Sequence, residues 1–533
     1  MKRLISWLAL PLLVAGCTTP GSGEEPGPSC PDATACPCQP GQTDLPDDSF
    51  QDSNCDGVDG TASAALFVDP TSGQDINTGT REAPLKTLSY AIQRAANQGK
   101  ALYLAQGTYD EPALVLDKPV SLYGGYSGVS GGWARGNYTT QLRGGGVGLT
   151  VSGLGKDAGV TLERMRITSA SATDAGAPSI GVRVMYSGGV KLRYVEVLAG
   201  AGAPGTPGST PPPNPQGGVQ GGMGQSTTNE ATPNTRAGGG APGVGGCSSD
   251  LAGRGGQGGV YGVEPTRGEA GIPASDGGTA GPNVVLNNCP TTIPTCQCNG
   301  IAGGKGQDGV EGEAGTDGRA GDGIGRLAGD SWMANVGGDG GLGHPGGAGG
   351  GGGGGSYCST EWLRATEASG GGGGGGGTGG CPGTGATGGS GGGASIAVLL
   401  INGLVELESA TLKTTGGGQG GAGAQGGSGG PGGLGGAGGT GYTQRTDFTV
   451  NGTPYRAESI GGPGGAGGNG GVGGRGGHGG NGGGGPSVGV WCDATSTFTQ
   501  RDTVFDLGPG GRPGNGPAPT GETGLRGQSY QCQ

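Results

Sequence analysis

From Ala65 onward the chain reads as short apolar runs broken by turn residues. Leu66-Phe67-Val68, Leu102-Tyr103-Leu104, Leu114-Val115-Leu116 and Val120-Ser121-Leu122 have the length and the side chains of buried strands. Gly107-Thr108-Tyr109 reads as a turn within this series, which closes at Gly124-Gly125-Tyr126. One segment follows a different period. Leu88, Ala91, Ile92, Ala95 and Ala96 recur at helical spacing, which predicts an amphipathic helix over 85–97, ended by Gly99.

Further along, one pattern recurs: apolar-x-apolar, a turn, then V-x-L-x-x-apolar-x-apolar. It runs through Ser179-Ile180-Gly181-Val182 with Val190 to Val197, and again through Ser395-Ile396-Ala397-Val398 with Val405 to Leu412. Ser487-Val488-Gly489-Val490 begins a third copy, degraded over Phe498 to Phe505, and Gly148-Leu149-Thr150-Val151 with Val160 to Ile167 is an earlier relative. One such unit cannot bury its apolar face alone, whereas stacked units share a continuous core. The expected fold is therefore all-β, a solenoid of short strands in common register. Glu163, Arg193, Glu408 and Arg501 then fall at one position with alternating sign, and should form an outward ladder of exposed ion pairs.

Two glycine-rich insertions, 199–394 and 413–486, leave the repeat at the same point, just after its last strand. Glycine supplies 143 of 533 residues, far above the share in an ordinary globular domain. Gly462 to Gly485 is close to a Gly-Gly-x run, and Gly306 to Gly323 is Gly-x-x. A period of three matches an extended threefold helix. Two outcomes remain open: a bundle of such segments with glycines inward, resembling the polyglycine-II bundles of some antifreeze and phage adhesin proteins, or a flexible linker. The texture is also similar to that of glycine-rich (PGRS-like) mycobacterial surface proteins.

The N-terminus bears on location. Lys2 and Arg3 precede an apolar run, Leu4 to Val14, too short to span a bilayer as a helix. It ends in Val14-Ala15-Gly16-Cys17, which resembles the bacterial lipobox. The resemblance implies cleavage after residue 16 and acylation of Cys17. Thr18 rather than Asp next to it implies the outer membrane. The chain thus divides into a signal segment (1–16), a tether (17–64), first rungs (65–198), an insertion (199–394), a rung (395–412), a second insertion (413–486), and a final rung with tail (487–533). A net charge of −12 argues against nucleic acid as a partner. The exported context makes disulfides plausible for the twelve cysteines beyond Cys17, in an N-terminal set (Cys30, Cys36, Cys38, Cys55) and a second set from Cys247 to Cys532.

The stretch from Asp69 to Tyr126 resembles the opening of bacterial right-handed parallel β-helix proteins of the pectin-lyase-like fold, in which a helix caps the first rungs. That resemblance implies a fold and leaves activity open. Candidate chemistry is thin. Asp52, Asn54 and Asp56 alternate before Gly57, with Asp59 after it, as calcium loops begin, and the run resembles short metal-binding motifs of bacterial surface proteins. Ser63 stands where a full EF-hand loop has its bidentate carboxylate. The two histidines, His344 and His478, lie in glycine-rich insertions with no motif-fixed partner. Arg193, Glu406 and Glu408 are outward charges able to contact carbohydrate, and Trp133, Tyr126 and Tyr138 could stack on sugar rings or cover a core end. The favoured reading is a non-enzymatic surface lipoprotein, structural or adhesive, whose partners are the outer membrane and surface polysaccharide or neighbouring cells. The alternative is a β-helix polysaccharide lyase or glycoside hydrolase.

Overall fold

The computed structural model describes residues 38–532 apart from 156–158, 229–235, 248–249, 274, 288–293 and 361–365. Cys17 and the segment before it, with Cys30, Cys36 and Cys289, lie outside the described residues. The fold is all-β with mostly parallel strands, and three long parallel sheets dominate it. The chain visits them in strict rotation. Ala101–Ala105 lies in the first sheet, Gly107–Asp110 in the second and Val115–Leu116 in the third, and the next coil begins at Leu122–Tyr126 in the first. The last coil is Thr497–Arg501, Val504–Leu507 and Arg526–Tyr530. This is a β-helix-like arrangement.

Because strand side chains alternate, each coil sends every second residue inward. Leu66, Leu102, Leu122, Leu162, Leu192 and Leu407 from the first sheet meet Leu142, Ile167, Val197 and Leu412 from the second and Val151, Val182 and Val398 from the third in one buried core. Among the described residues one α-helix, Leu88–Gln98, ends at Gly99 in the left-handed conformation and adds Leu88, Ala91, Ile92 and Ala95 to that core. Gly107 to Asp110 is a strand rather than a turn, because the buried Tyr109 hydroxyl donates to the carbonyls of Val68 and Ala105 and holds it in the coil.

The repeat register is as the pattern predicts for three copies: Ser179 pairs with Ser395, and Ser395 with Ser487. In the earlier copy Val160 and Ile167 pair with Val190 and Val197 as the pattern predicts, but its first strand is displaced. Ile180 pairs with Val147 and Val182 with Leu149, two residues from the alignment drawn from the motif alone. A slip of two keeps every side chain on its own face, so the apolar pattern cannot distinguish the two registers. At the corner between first and second sheets Arg164, Tyr194, Ser409 and Asp502 each adopt a φ near +50°, and the first three donate their N–H to the next coil.

Both long insertions leave after a second-sheet strand, Glu196–Ala199 or Thr411–Thr414, and return to a third-sheet strand, Ser395–Ile401 or Ser487–Cys492. A third glycine-rich stretch, between Leu507 and Arg526, uses the same seam, and its Gly511 and Gly514 donate to Gly485 and Gly482. The insertions are joined to one another by backbone hydrogen bonds with a period of three. In the central run Gly349, Gly352 and Gly355 donate to Gly377, Gly374 and Gly371. Gly350 and Gly353 donate to Gln307 and Gly304, and Gly351 and Gly354 to Glu269 and Thr266. The same run accepts from three further segments, at Gly253, Gly465 and Gly278 and their successors.

This arrangement explains the grammar. A run with neighbours on all sides has no room for side chains, and 349–355 is glycine throughout and buried. A Cβ on Gly352 would run into the carbonyl oxygen of Gly465. The Gly-Gly-x run exposes its third position, at Pro463, Ala466 and Val472. The Gly-x-x run turns only its glycine inward, with Gly306, Gly315, Gly318 and Gly321 buried. The number of side chains per triplet reports how many faces of the segment meet solvent.

Described disulfides join Cys38 to Cys55, Cys247 to Cys381, Cys298 to Cys358 and Cys492 to Cys532. Each stays within the set expected from the sequence, and Cys296 is disulfide-bonded as well.

Candidate functional site

The tether predicted over 17–64 packs on the coils in its second part. From Cys38 the chain lies against the outer face of the first sheet. There Phe67, Tyr103 and Ala105, which alternate with the inward Leu66, Val68 and Leu104, are also buried. They form a second cluster with Val58, Tyr126 and Trp133. The Tyr126 hydroxyl donates to the Asp59 carbonyl at 2.7 Å, the Thr61 N–H donates to the Tyr103 hydroxyl at 3.0 Å, and Trp133 Nε1 donates to the Arg81 carbonyl at 2.9 Å. Trp133 and Tyr126 are 2% and 0% exposed, so neither offers a ring to a sugar; Tyr138 remains exposed.

Beyond this aromatic layer runs the column of charges. Arg193 pairs in register with Glu163 on one side and Glu408 on the other, and Glu408 with Arg501. The order and alternation match the sequence pattern; the burial does not. Glu163 is 1% exposed. One of its oxygens receives Arg193 at 3.1 Å and the other receives Arg135 at 2.6 Å. Arg135, itself buried, makes a second ion pair with Asp59 at 3.0 Å. Its Nε donates to the Gly124 carbonyl and its Nη1 to that of Asp47. Asp48 then receives Arg164, Arg193 and the Tyr194 hydroxyl. Burial raises the Asp48 carboxyl, but these donors and the two guanidinium charges outweigh it and hold its pKa below the usual value. Asp59 behaves oppositely: burial dominates the pull of Arg135 and raises its carboxyl to about 6.

Each predicted site residue other than Cys17 therefore has a definite place. Arg193 lies between Glu163, Glu408 and Asp48, and is not free for a sugar. Glu408 is held by Arg193 and Arg501. Glu406 pairs with Lys191 at 3.0 Å on the exposed face. Among the calcium candidates, Asp52 accepts the N–H groups of Asp56 and Gly57, Asn54 accepts that of Asp56, and Asp56 accepts those of Val58 and Ala62. Asp59 is turned to Arg135. These oxygens close a disulfide-pinned turn, and among the described residues no three His, Cys, Asp or Glu side chains are placed to share an ion. In this arrangement the oxygens are taken up by backbone donors and by Arg135. Arg135 and Asp48 escaped the sequence reading because both lie in irregular segments outside the repeat; the one available signal was the unexplained acidic cluster 44–59.

At the far end of the second insertion stands a hairpin, Thr443–Val450 and Thr453–Ile460. Thr295–Asn299 adds to it in parallel, and Cys298, on that strand, is bridged to Cys358. Phe448 and Tyr455 stack across the hairpin with centroids 5.9 Å apart, and Arg456 Nε lies 2.7 Å from Asp447.

Comparison with known proteins reaches only the first coils. Residues 71–173 match a family model described as a protein of unknown function (DUF1565). The match covers the helix, the first three coils as far as Arg166–Thr168, and Arg135 and Glu163. No curated protein and no solved structure matches the chain. Among the described residues no helix is long and apolar enough to cross a membrane.

Proposed function

We propose that this chain is a non-enzymatic surface lipoprotein that holds a small β-structured tip away from the outer membrane. In this reading Cys17 carries the lipid, and residues 38–64 clasp a right-handed parallel β-helix of pectin-lyase-like type, capped by the helix Leu88–Gln98. The glycine segments form a polyglycine-II bundle serving as a stiff arm. The hydrogen bonding of the run 349–355 to neighbours on all its sides is the observation that carries it. An arm bonded in this way resists bending, whereas a glycine linker would collapse as a coil. From Gly417 to Gly441 the second insertion extends roughly 75 Å at about 3.1 Å per residue before the hairpin turns it back. Ligands in reach of such a tip are surface polysaccharide or neighbouring cells.

Catalysis on polysaccharide is the weaker reading, because Arg193 and Glu408 are occupied by one another and by their neighbours. The test has two arms. Metabolic labelling with a clickable fatty acid should mark the chain and fail for Cys17→Ala. An epitope inserted at Gly452 should be accessible on intact cells, and purified chain should bind cells or a glycan array without releasing reducing or unsaturated sugar. Sugar release abolished by Glu406→Ala would refute the proposal, as would an epitope reachable only after lysis.

A further inference from the structure

The outer face of the third sheet is covered in part by a hairpin from the first insertion, Arg326–Ala328 and Ser331–Met333. Trp332 packs there with Ile180, Ile396, Leu399, Val488 and Trp491, and the Tyr186 hydroxyl donates to Asp330 at 2.6 Å, tying the hairpin down. Between this hairpin and the loop 112–115 lies a cavity of about 580 Å³. That size is within the usual range for small-molecule sites.

Its walls are apolar on Leu114, Val147, Ile180 and Trp332, and its polar side chains are Arg183, Thr150 and Ser331, all able to donate, with no carboxylate among them. Arg143, Arg164, Arg166, Arg193 and Arg501 on the other two sheets all sit in ion pairs. Arg183 sits in none among the described residues; its one side-chain hydrogen bond runs from Nη2 to Thr150 Oγ1 at 3.3 Å, and its Nε has no partner. Trp332 is 3% exposed, and its Nε1 is likewise unpartnered. Buried donors in folded proteins are nearly always satisfied. Arg183 is the one charged side chain of this lining, and with no carboxylate beside it the wall asks for an acceptor that carries negative charge. A guanidinium matches a carboxylate in geometry as well as charge.

We propose that this cavity binds a small organic carboxylate with an apolar body, the carboxylate on the Arg183 guanidinium and the body against Leu114, Val147, Ile180 and the Trp332 ring. The site is separate from the hairpin tip and does not depend on the surface role. Isothermal titration of the full chain with benzoate and hexanoate, and with the neutral benzamide and hexanamide, tests it. The acids should bind saturably at one site and the amides about tenfold or more weaker. Arg183→Met should reduce acid affinity to the level of the amide and leave the amide unchanged. No saturable binding of either acid, or equal binding of acid and amide, would overturn the proposal using the wild-type chain alone. Unchanged benzoate affinity in a folded Arg183→Met chain would overturn it as well.

Discussion

Arg135 is the residue on which the union of the N-terminal segment and the coils most depends. It is buried between two buried carboxylates, Asp59 at 3.0 Å and Glu163 at 2.6 Å. Arg135→Met keeps most of the side-chain volume and removes the charge. Glu163 retains Arg193, but Asp59 is left as a buried anion with no cation. Removing one partner of a buried ion pair costs about 3–5 kcal/mol. The loss should fall on the clasp, since Asp59 belongs to it and Arg135 to the coil. Limited proteolysis should therefore open residues 38–64 far sooner than in wild type, while the later coils resist unchanged. Acid gives the sign. Burial already raises the wild-type Asp59 carboxyl from 3.8 to about 6. Between those values the folded state holds more protons than the unfolded one. The contribution of Asp59 is thus fully present below about 3.8 and is lost as pH rises through about 6. Without Arg135 the raised pKa rises further, so the variant's deficit should shrink as pH falls from 7.5 to 5. Arg135→Met with Asp59→Asn should recover part of the deficit at neutral pH. A deficit under about 1 kcal/mol, the scale of an exposed pair, or one that grows on acidification, would refute this reasoning.

Three further expectations are simpler. Gly352→Ala drives a methyl into the Gly465 carbonyl and should destabilise the bundle by at least about 1–3 kcal/mol, measured as earlier thermal loss of protease resistance; Val472→Ala, at an exposed position, should leave it unchanged. Glu406→Gln breaks a half-exposed pair with Lys191 and should shift the denaturation midpoint by the equivalent of less than about 1 kcal/mol. Replacing Cys247 and Cys381 with serine opens a link spanning 134 residues and should lower stability of the first insertion by about 2–5 kcal/mol, read by hydrogen exchange of the segments they join.

The coils were legible because a buried strand announces itself locally. Ser179, Ser395 and Ser487 share a register that the V-x-L pattern already implies. The two-residue displacement at Val147 was not legible, since both registers put the same side chains inside. The charge column was found by counting along the repeat. Its burial was not, because what covers Glu163 comes from Asp59 and Arg135, neither of which lies in the repeated unit.

By itself, then, the sequence determined the strand periodicity, the alternating column from Glu163 to Arg501, the shared exit point of the insertions and the triplet period of the glycines. These are consequences of local side-chain alternation and backbone geometry, which neighbouring residues carry among themselves. Only the tertiary structure decided whether the glycine triplets order, which of their faces meet solvent, and that residues 38–64 close over the first sheet. An isolated glycine segment has no internal hydrogen bonds to offset its entropy. Its order resides in bonds to segments as distant as Gly253, Gly374 and Gly465, and those partners exist only once the coils have brought the insertions out through one seam.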